Sequence, residues 1–229
     1  MEQAGEQQSD TRAGRNHPPA RGERPRAEYS RLQSVAASWS GEHLSTLGRL
    51  DDPASEHQRR QATGCMETLH RLLSDCDEYR DAVATCKAGP LRHCGGTWIL
   101  LVELPRLHIG LLTLERDDPV PVHDHSRTSG AQLLLAGRLA IRQFQRERPA
   151  GAAPDMFLLT PVGRWTLDPG DALFFTSSAD VHEMHALSER SVTLHVQLDP
   201  ERSAKRGWYF PHLGDIGGVC LATRWELDA

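Results

Sequence analysis

Pro121-Val-His-Asp-His-Ser-Arg-Thr-Ser-Gly130 is the stretch from which the rest of the chain can be read. In an extended segment alternate side chains share a face, so His123 and His125 point the same way with Cα atoms about 6.5 Å apart. Two imidazoles at that spacing can grip one metal ion. The chain holds 12 histidines among 229 residues, and at that abundance chance alone supplies about 0.6 such pairs. The setting therefore has to carry the argument. An apolar run, Leu107-His-Ile-Gly-Leu-Leu-Thr-Leu114, precedes the pair, and a β-rich run, Ala131-Gln-Leu-Leu-Leu-Ala-Gly137, follows it. Further on, Asp180-Val-His182 places a third histidine in a similar setting.

Outward from this stretch the texture is uniform. Short apolar runs bounded by Gly, Pro and Asp extend over Trp98 to Glu103, Leu107 to Leu114, Gln132 to Leu135, Leu139 to Phe144, Met156 to Leu159, Arg164 to Leu167, Ala172 to Thr176, His182 to Ala186 and Ser191 to Leu198. Strands at this spacing, with no helical pattern between them, predict a mainly β sandwich or barrel of jelly-roll type. Upstream the period changes. Leu32, Val35, Ala36 and Trp39, then Leu44, Leu47 and Leu50, then Met66, Leu69, Leu72, Leu73 and Cys76 recur at helical spacing, with Asp51-Asp-Pro-Ala-Ser55 as a capped proline turn. His57 and His70 lie within these helices and read as surface or packing residues. The expected division is a disordered tail at 1–27, a helical extension at 28–90, a barrel at 91–200 and a C-terminal tail at 201–229 whose Trp208-Tyr-Phe210 packs on the barrel.

Composition narrows the function. A net charge of -5 argues against nucleic acid as the main partner, because phosphate binding rests on a clustered positive face. No apolar run is long enough to span a bilayer, and the N-terminus has charged residues and prolines where a secretory leader needs an apolar core, so a cytoplasmic protein is expected. The five cysteines, Cys65, Cys76, Cys86, Cys94 and Cys220, are odd in number and lack C-x-x-C spacing. They read as mostly buried thiols rather than a disulfide framework or a zinc site.

The chain resembles the cupins, which carry H-x-H in a first motif followed by a glutamate and a glycine, and a further histidine in a second motif after a P-G-D turn. His123-Asp-His125, Gly137, Asp168-Pro-Gly-Asp171 and His182 match that pattern, and Gly130 stands where the glutamate would be. The match covers about residues 95–200. It implies a cupin-type jelly-roll β-barrel with an N-terminal α-helical extension, and a metal held by His123, His125 and His182. Three neutral ligands and no carboxylate would leave a bound Fe(II) with its full charge and one face open.

Within cupins that ligand set is similar to the thiol dioxygenases, the cysteine and 3-mercaptopropionate dioxygenase group. Ser191-Val-Thr-Leu-His-Val-Gln-Leu198 resembles the family strand S-V-S-L-H-V-Y, whose alternating Ser, His and Tyr form a hydrogen-bonded relay. The resemblance gives Thr193, His195 and Gln197 those catalytic positions, facing inward together. Gln197 replaces the tyrosine and cannot supply a phenolic proton. Gly130 and Gln197 together rule out the Cys-Tyr crosslink of animal-type enzymes. The region Cys94-Gly-Gly-Thr-Trp98 has no carboxylate-binding arginine, so the anion clamp falls to Arg206, in the Lys205-Arg206 pair after the relay strand, with a charge on an exposed tail as the alternative.

The resemblance thus implies an Fe(II) enzyme, monomer or homodimer, that takes a small carboxylated thiol and O2 to a sulfinic acid. Two alternatives stay open: a three-histidine cupin dioxygenase that cleaves a carbon-carbon bond, and a metal-bound, small-molecule-binding cupin without turnover. His185 competes with His182 for the metal, but three residues apart in an extended segment they face opposite ways, and the second motif selects His182. His195 has a core-histidine reading as well, and His108 alternates with apolar neighbours as a structural residue would.

Overall fold

The computed structural model describes residues 26–52, 55–88, 96–117, 119–125, 128–176, 181–199, 206–212 and 219–227. The tail expected at 1–27 lies outside the described residues except for the first residues of a helix. Among the described residues the elements in chain order are α1 (Arg26–Leu47), α2 (Glu56–Leu73), α3 (Asp77–Ala88), β1 (Thr97–Leu104), β2 (Leu107–Glu115), β3 (Val120–Asp124), β4 (Ser129–Ala136), β5 (Leu139–Glu147), β6 (Met156–Leu167), β7 (Ala172–Phe175), β8 (Val181–Ala186), β9 (Arg190–Leu198), β10 (Arg206–Pro211) and β11 (Cys220–Leu227).

The helices form where the 3.6-residue period demanded them. Ser55 caps α2 by accepting from the Gln58 amide, and Glu56 in the first turn complements the helix dipole. The stripe of α2, with Ala62, Cys65, Met66, Leu69 and Leu73 buried, meets Leu32, Ala36 and Trp39 of α1, and the Trp39 indole donates to the Cys65 carbonyl at 3.0 Å. Cys65, Cys76 and Cys86 are buried among these helices, and burial raises each thiol pKa.

Two antiparallel sheets follow. The first has the order β1-β2-β9-β4-β7, and the second closes on itself in the order β10-β11-β6-β5-β8-β3. Leu107, Ile109 and Leu111 of β2, Ala131 and Leu133 of β4, and Val192, Leu194 and Val196 of β9 share one apolar cluster with the helices. Alternation then turns Leu112 and Leu114, Gly130, Gln132 and Leu134, and Thr193, His195 and Gln197 to the other face, into the space between the sheets. Leu112, Leu114 and Leu134 meet Leu139, Ile141, Met184 and Ala186 there. The result is a mainly β jelly-roll fold, two antiparallel sheets of which one closes on itself, with helices covering the other.

Two expectations are revised. The runs at 156–159 and 164–167 are one twelve-residue strand, β6, which pairs with β11 at its start and with β5 along its length. The chain after residue 200 does more than pack on the barrel: β10 bonds to β3 and β11 bonds to β6, so this hairpin closes the second sheet. Its inner side, with Tyr209, Cys220 and Ala222, covers Val122, Phe144, Leu159 and Val181 in a small apolar core of its own.

Candidate metal centre

The register of β3 against β8 sets His123 opposite His182, and alternation brings His125 to the same side. The ligating nitrogens of His123, His125 and His182 all lie within 4.8 Å of one another. The side chains are 1%, 8% and 4% exposed, so water is nearly excluded from the cluster. Ring centroids are 4.5 Å apart for His123 and His182 and 5.1 Å for His125 and His182. His123 Nδ1 lies 2.8 Å from the Pro121 carbonyl oxygen, to which it donates, which makes Nε2 the unprotonated nitrogen that could ligate a metal. Three converging, buried imidazoles fit a divalent transition metal and suit iron, zinc, copper or nickel alike. His185, on the opposite face of β8, is half-exposed with Nε2 3.4 Å from Glu183, well away from the cluster.

Asp124, between the two β3 histidines, points to the other face. Its carboxylate accepts from Arg146 Nη1 at 2.7 Å, Arg224 Nε at 2.9 Å, the Tyr209 hydroxyl at 2.8 Å and the Gly207 amide at 3.2 Å. Burial, and then the negative charge of Asp124, push the Tyr209 pKa up to about 12. This cluster ties β3 to β5, β10 and β11. Sequence reading missed it because its members are up to 100 residues apart; the available signal was an acid in a strand, one residue out of phase with two ligands.

Gly130 is where a carboxylate ligand would be expected, and the space is taken. A Cβ there would come within 2.0 Å of the Val196 carbonyl oxygen and 2.6 Å of the Phe175 ring. Phe175 stacks on His125 at 4.3 Å and 20°, and its centroid is 6.2 Å from His182 and 5.8 Å from His195. One aromatic ring thus occupies the gap between the three histidines and the fourth.

Thr193 and His195 are buried and Gln197 is partly buried, all on the inward side of β9. Thr193 donates to the Leu112 carbonyl at 3.5 Å, whereas His195 Nε2 lies 2.6 Å from Gln132 Oε1. Gln132 is a residue that sequence reading passed over, although it sits on the inward face of β4 directly opposite His195. The Trp98 ring meets His195 edge-on at 5.6 Å and 84°. Arg206, the expected anion clamp, has its backbone in β10, two residues before Trp208, whose register partner is His123; its side chain and Lys205 lie outside the described residues. His108 is partly buried on β2, 4.0 Å from Glu103. His70 packs within the helices, 2.6 Å from the Tyr79 hydroxyl.

No family model and no curated protein matches the chain. Solved structures do match. KdgF from a Halomonas species is 18% identical, over 49% of this chain and 87% of that one, with a TM-score of 0.37. A cupin superfamily protein from Desulfitobacterium hafniense is 16% identical over 49% and 85%, at 0.36. An uncharacterized conserved protein with a double-stranded β-helix domain from Klebsiella pneumoniae is 12% identical over 53% and 85%, at 0.39.

Proposed function

We propose that this chain is an Fe(II)-dependent dioxygenase that oxidises a small carboxylated thiol to its sulfinic acid. The observation that carries the reading is the donor set: three buried imidazoles within 4.8 Å of one another, with the adjacent carboxylate of Asp124 turned away and the Gly130 position closed. A metal held by His123, His125 and His182 would supply a positive charge uncompensated by a protein carboxylate, favouring thiolate over thiol, together with the redox chemistry that dioxygen requires.

The chain's own residues do the rest. His123, His125 and His182 hold the metal, and the Pro121 carbonyl fixes the tautomer of His123. Phe175 packs apolar surface against His125, and Trp98 meets His195 edge-on. His195, across Phe175 from the ligands and with Nε2 held by Gln132, is proposed to orient the substrate through Nδ1, with Thr193 and Gln197 on the same face of β9. Arg206 is proposed to take the substrate carboxylate. The overall change is RSH plus O2 to RSO2H; both oxygen atoms pass to sulfur and no external reductant is required. No helix among the described residues is long and apolar enough to cross a membrane, and a cytoplasmic monomer or homodimer is proposed.

The test is to load the full chain with Fe(II) anaerobically and follow oxygen uptake against a panel of thiols, quantifying sulfinate. Uptake matched by sulfinate is the expected result. Uptake only with non-thiol substrates would replace this reading with carbon-carbon bond cleavage, and ligand binding without oxygen consumption would replace it with a non-catalytic binding protein.

A further inference from the structure

We propose that Gln132 is the positioning residue for His195, holding its imidazole in the Nε2-protonated form across the Phe175 ring from the three clustered histidines. The inference deepens the reading above and depends on it only for its kinetic arm. Gln132 and His195 are direct register partners on β4 and β9, so the contact is built into the sheet rather than left to a loop. Their side chains meet at 2.6 Å between Oε1 and Nε2, at 2% and 3% exposure. A carboxamide oxygen only accepts, so the proton must be on His195 Nε2. At this depth loss of the partner leaves a desolvated N–H, which the fold resists.

The ring is fixed in other directions too. Trp98 meets it edge-on at 5.6 Å, and Phe175 lies against it at 5.8 Å with an interplanar angle of 30°. Gly110 makes room for Trp98: a Cβ there would come within 2.4 Å of the indole. Gln197, two residues along β9, is opposite His108 and Gly130. The Nε2 proton is engaged by Gln132 of β4. A neutral carboxamide neither yields a phenolic proton nor takes one up near pH 7. His195 thus acts as a fixed hydrogen-bonding post, and no proton relay continues beyond it through Gln132.

The test reads the tautomer directly. Nitrogen NMR of the full chain, 15N-labelled and loaded with diamagnetic Zn(II), is recorded for wild type, Gln132→Leu, Gln132→Glu and Gln197→Ala, with His195 assigned by its loss in His195→Asn. The expected result is a proton on Nε2 in wild type, Gln132→Glu and Gln197→Ala, and a switched or mixed tautomer in Gln132→Leu. A wild-type ring protonated on Nδ1, or a Gln132→Leu ring unchanged from wild type, overturns the proposal. Should Gln132→Leu fail to fold, the wild-type tautomer decides.

In the kinetic arm, Gln132→Leu lowers kcat for thiol oxidation about tenfold with metal content and KM retained, Gln132→Glu recovers part of the loss, and Gln197→Ala has the smaller effect. The reverse ranking of the Gln132 and Gln197 variants overturns it. If no thiol is oxidised by any form, the functional reading fails while the tautomer still tests this one.

Discussion

The two faces of β3 do opposite things with neighbouring residues. On one side His123 and His125 join His182 in a cluster of three neutral nitrogen donors. On the other, Asp124 is saturated by two guanidiniums, a phenol and a backbone amide. Because strand alternation separates the faces, the acid that stands between the two histidines in sequence is committed elsewhere. The contrast teaches that two described positions are closed to a carboxylate ligand, Asp124 by its orientation and Gly130 by the Val196 carbonyl and the Phe175 ring packed against it.

The largest expected effect breaks the histidine face. Alanine at His123, His125 or His182 removes bound metal, measured as metal per chain after dialysis, whereas His185→Ala retains it. Normal metal content in His182→Ala with loss in His185→Ala would reverse the assignment.

Breaking the other face comes next. Asp124→Ala leaves Arg146 and Arg224 without their shared carboxylate, and by the usual cost of removing one partner of a buried charge cluster it destabilises the fold by about 3–5 kcal/mol. Urea unfolding measures this, and metal affinity in the folded fraction falls as well because β3 loses its side-chain tie to β10 and β11 and keeps only the backbone pairing with β10. Asp124→Asn retains some of these bonds and is the milder variant.

A smaller effect sharpens the steric half of the comparison. Gly130→Ala forces a Cβ against the Val196 carbonyl and costs about 1–3 kcal/mol as overpacking. Gly130→Glu is destabilised at least as much and does not supply an oxygen ligand. Phe175→Ala relieves only part of the clash, because the closer obstacle is backbone. Thermal unfolding of the three single variants and the double variant Gly130→Ala with Phe175→Ala measures the coupling.

The smallest effect lies away from the centre. Burial and then Lys87 depress the pKa of His70, which shares a hydrogen bond with the Tyr79 hydroxyl; burial raises the pKa of that tyrosine, with Cys86 adding to the shift. A histidine kept neutral by the fold binds fewer protons than in the unfolded chain, so its contribution is complete above its ordinary range near pH 6.5 and is lost as pH falls below it. Urea midpoints at pH 7.5 and 5.5 are expected to drop more in wild type than in His70→Gln.

Much of this was legible in the chain because it rests on local periods. The stripe of α2 and the alternation of β2 and β9 announce themselves, and Asp168-Pro-Gly-Asp171 marks a turn in which Gly170 adopts a φ of +98°. His123, His125 and His182 were readable from spacing and motif. What escaped depends on cross-strand partners far apart in sequence: Gln132 opposite His195, Arg224 on Asp124, and Phe175 against Gly130. The β10–β11 hairpin escaped for a related reason. Its alternation is short, with the bulky Trp208, Phe210 and Trp225 on the face away from Tyr209, so the pattern resembled a loosely packed tail.

The central claim is a metal held by three imidazoles with no acidic ligand from the protein. X-ray absorption spectroscopy of the anaerobic Fe(II)-loaded chain, compared with His182→Ala, tests it most directly. The account predicts about one iron per chain with scattering from three histidine rings and otherwise only exchangeable oxygen, and loss of that signal in the variant. An iron bound through sulfur or a protein carboxylate, or a chain that takes up no transition metal at all, would contradict it.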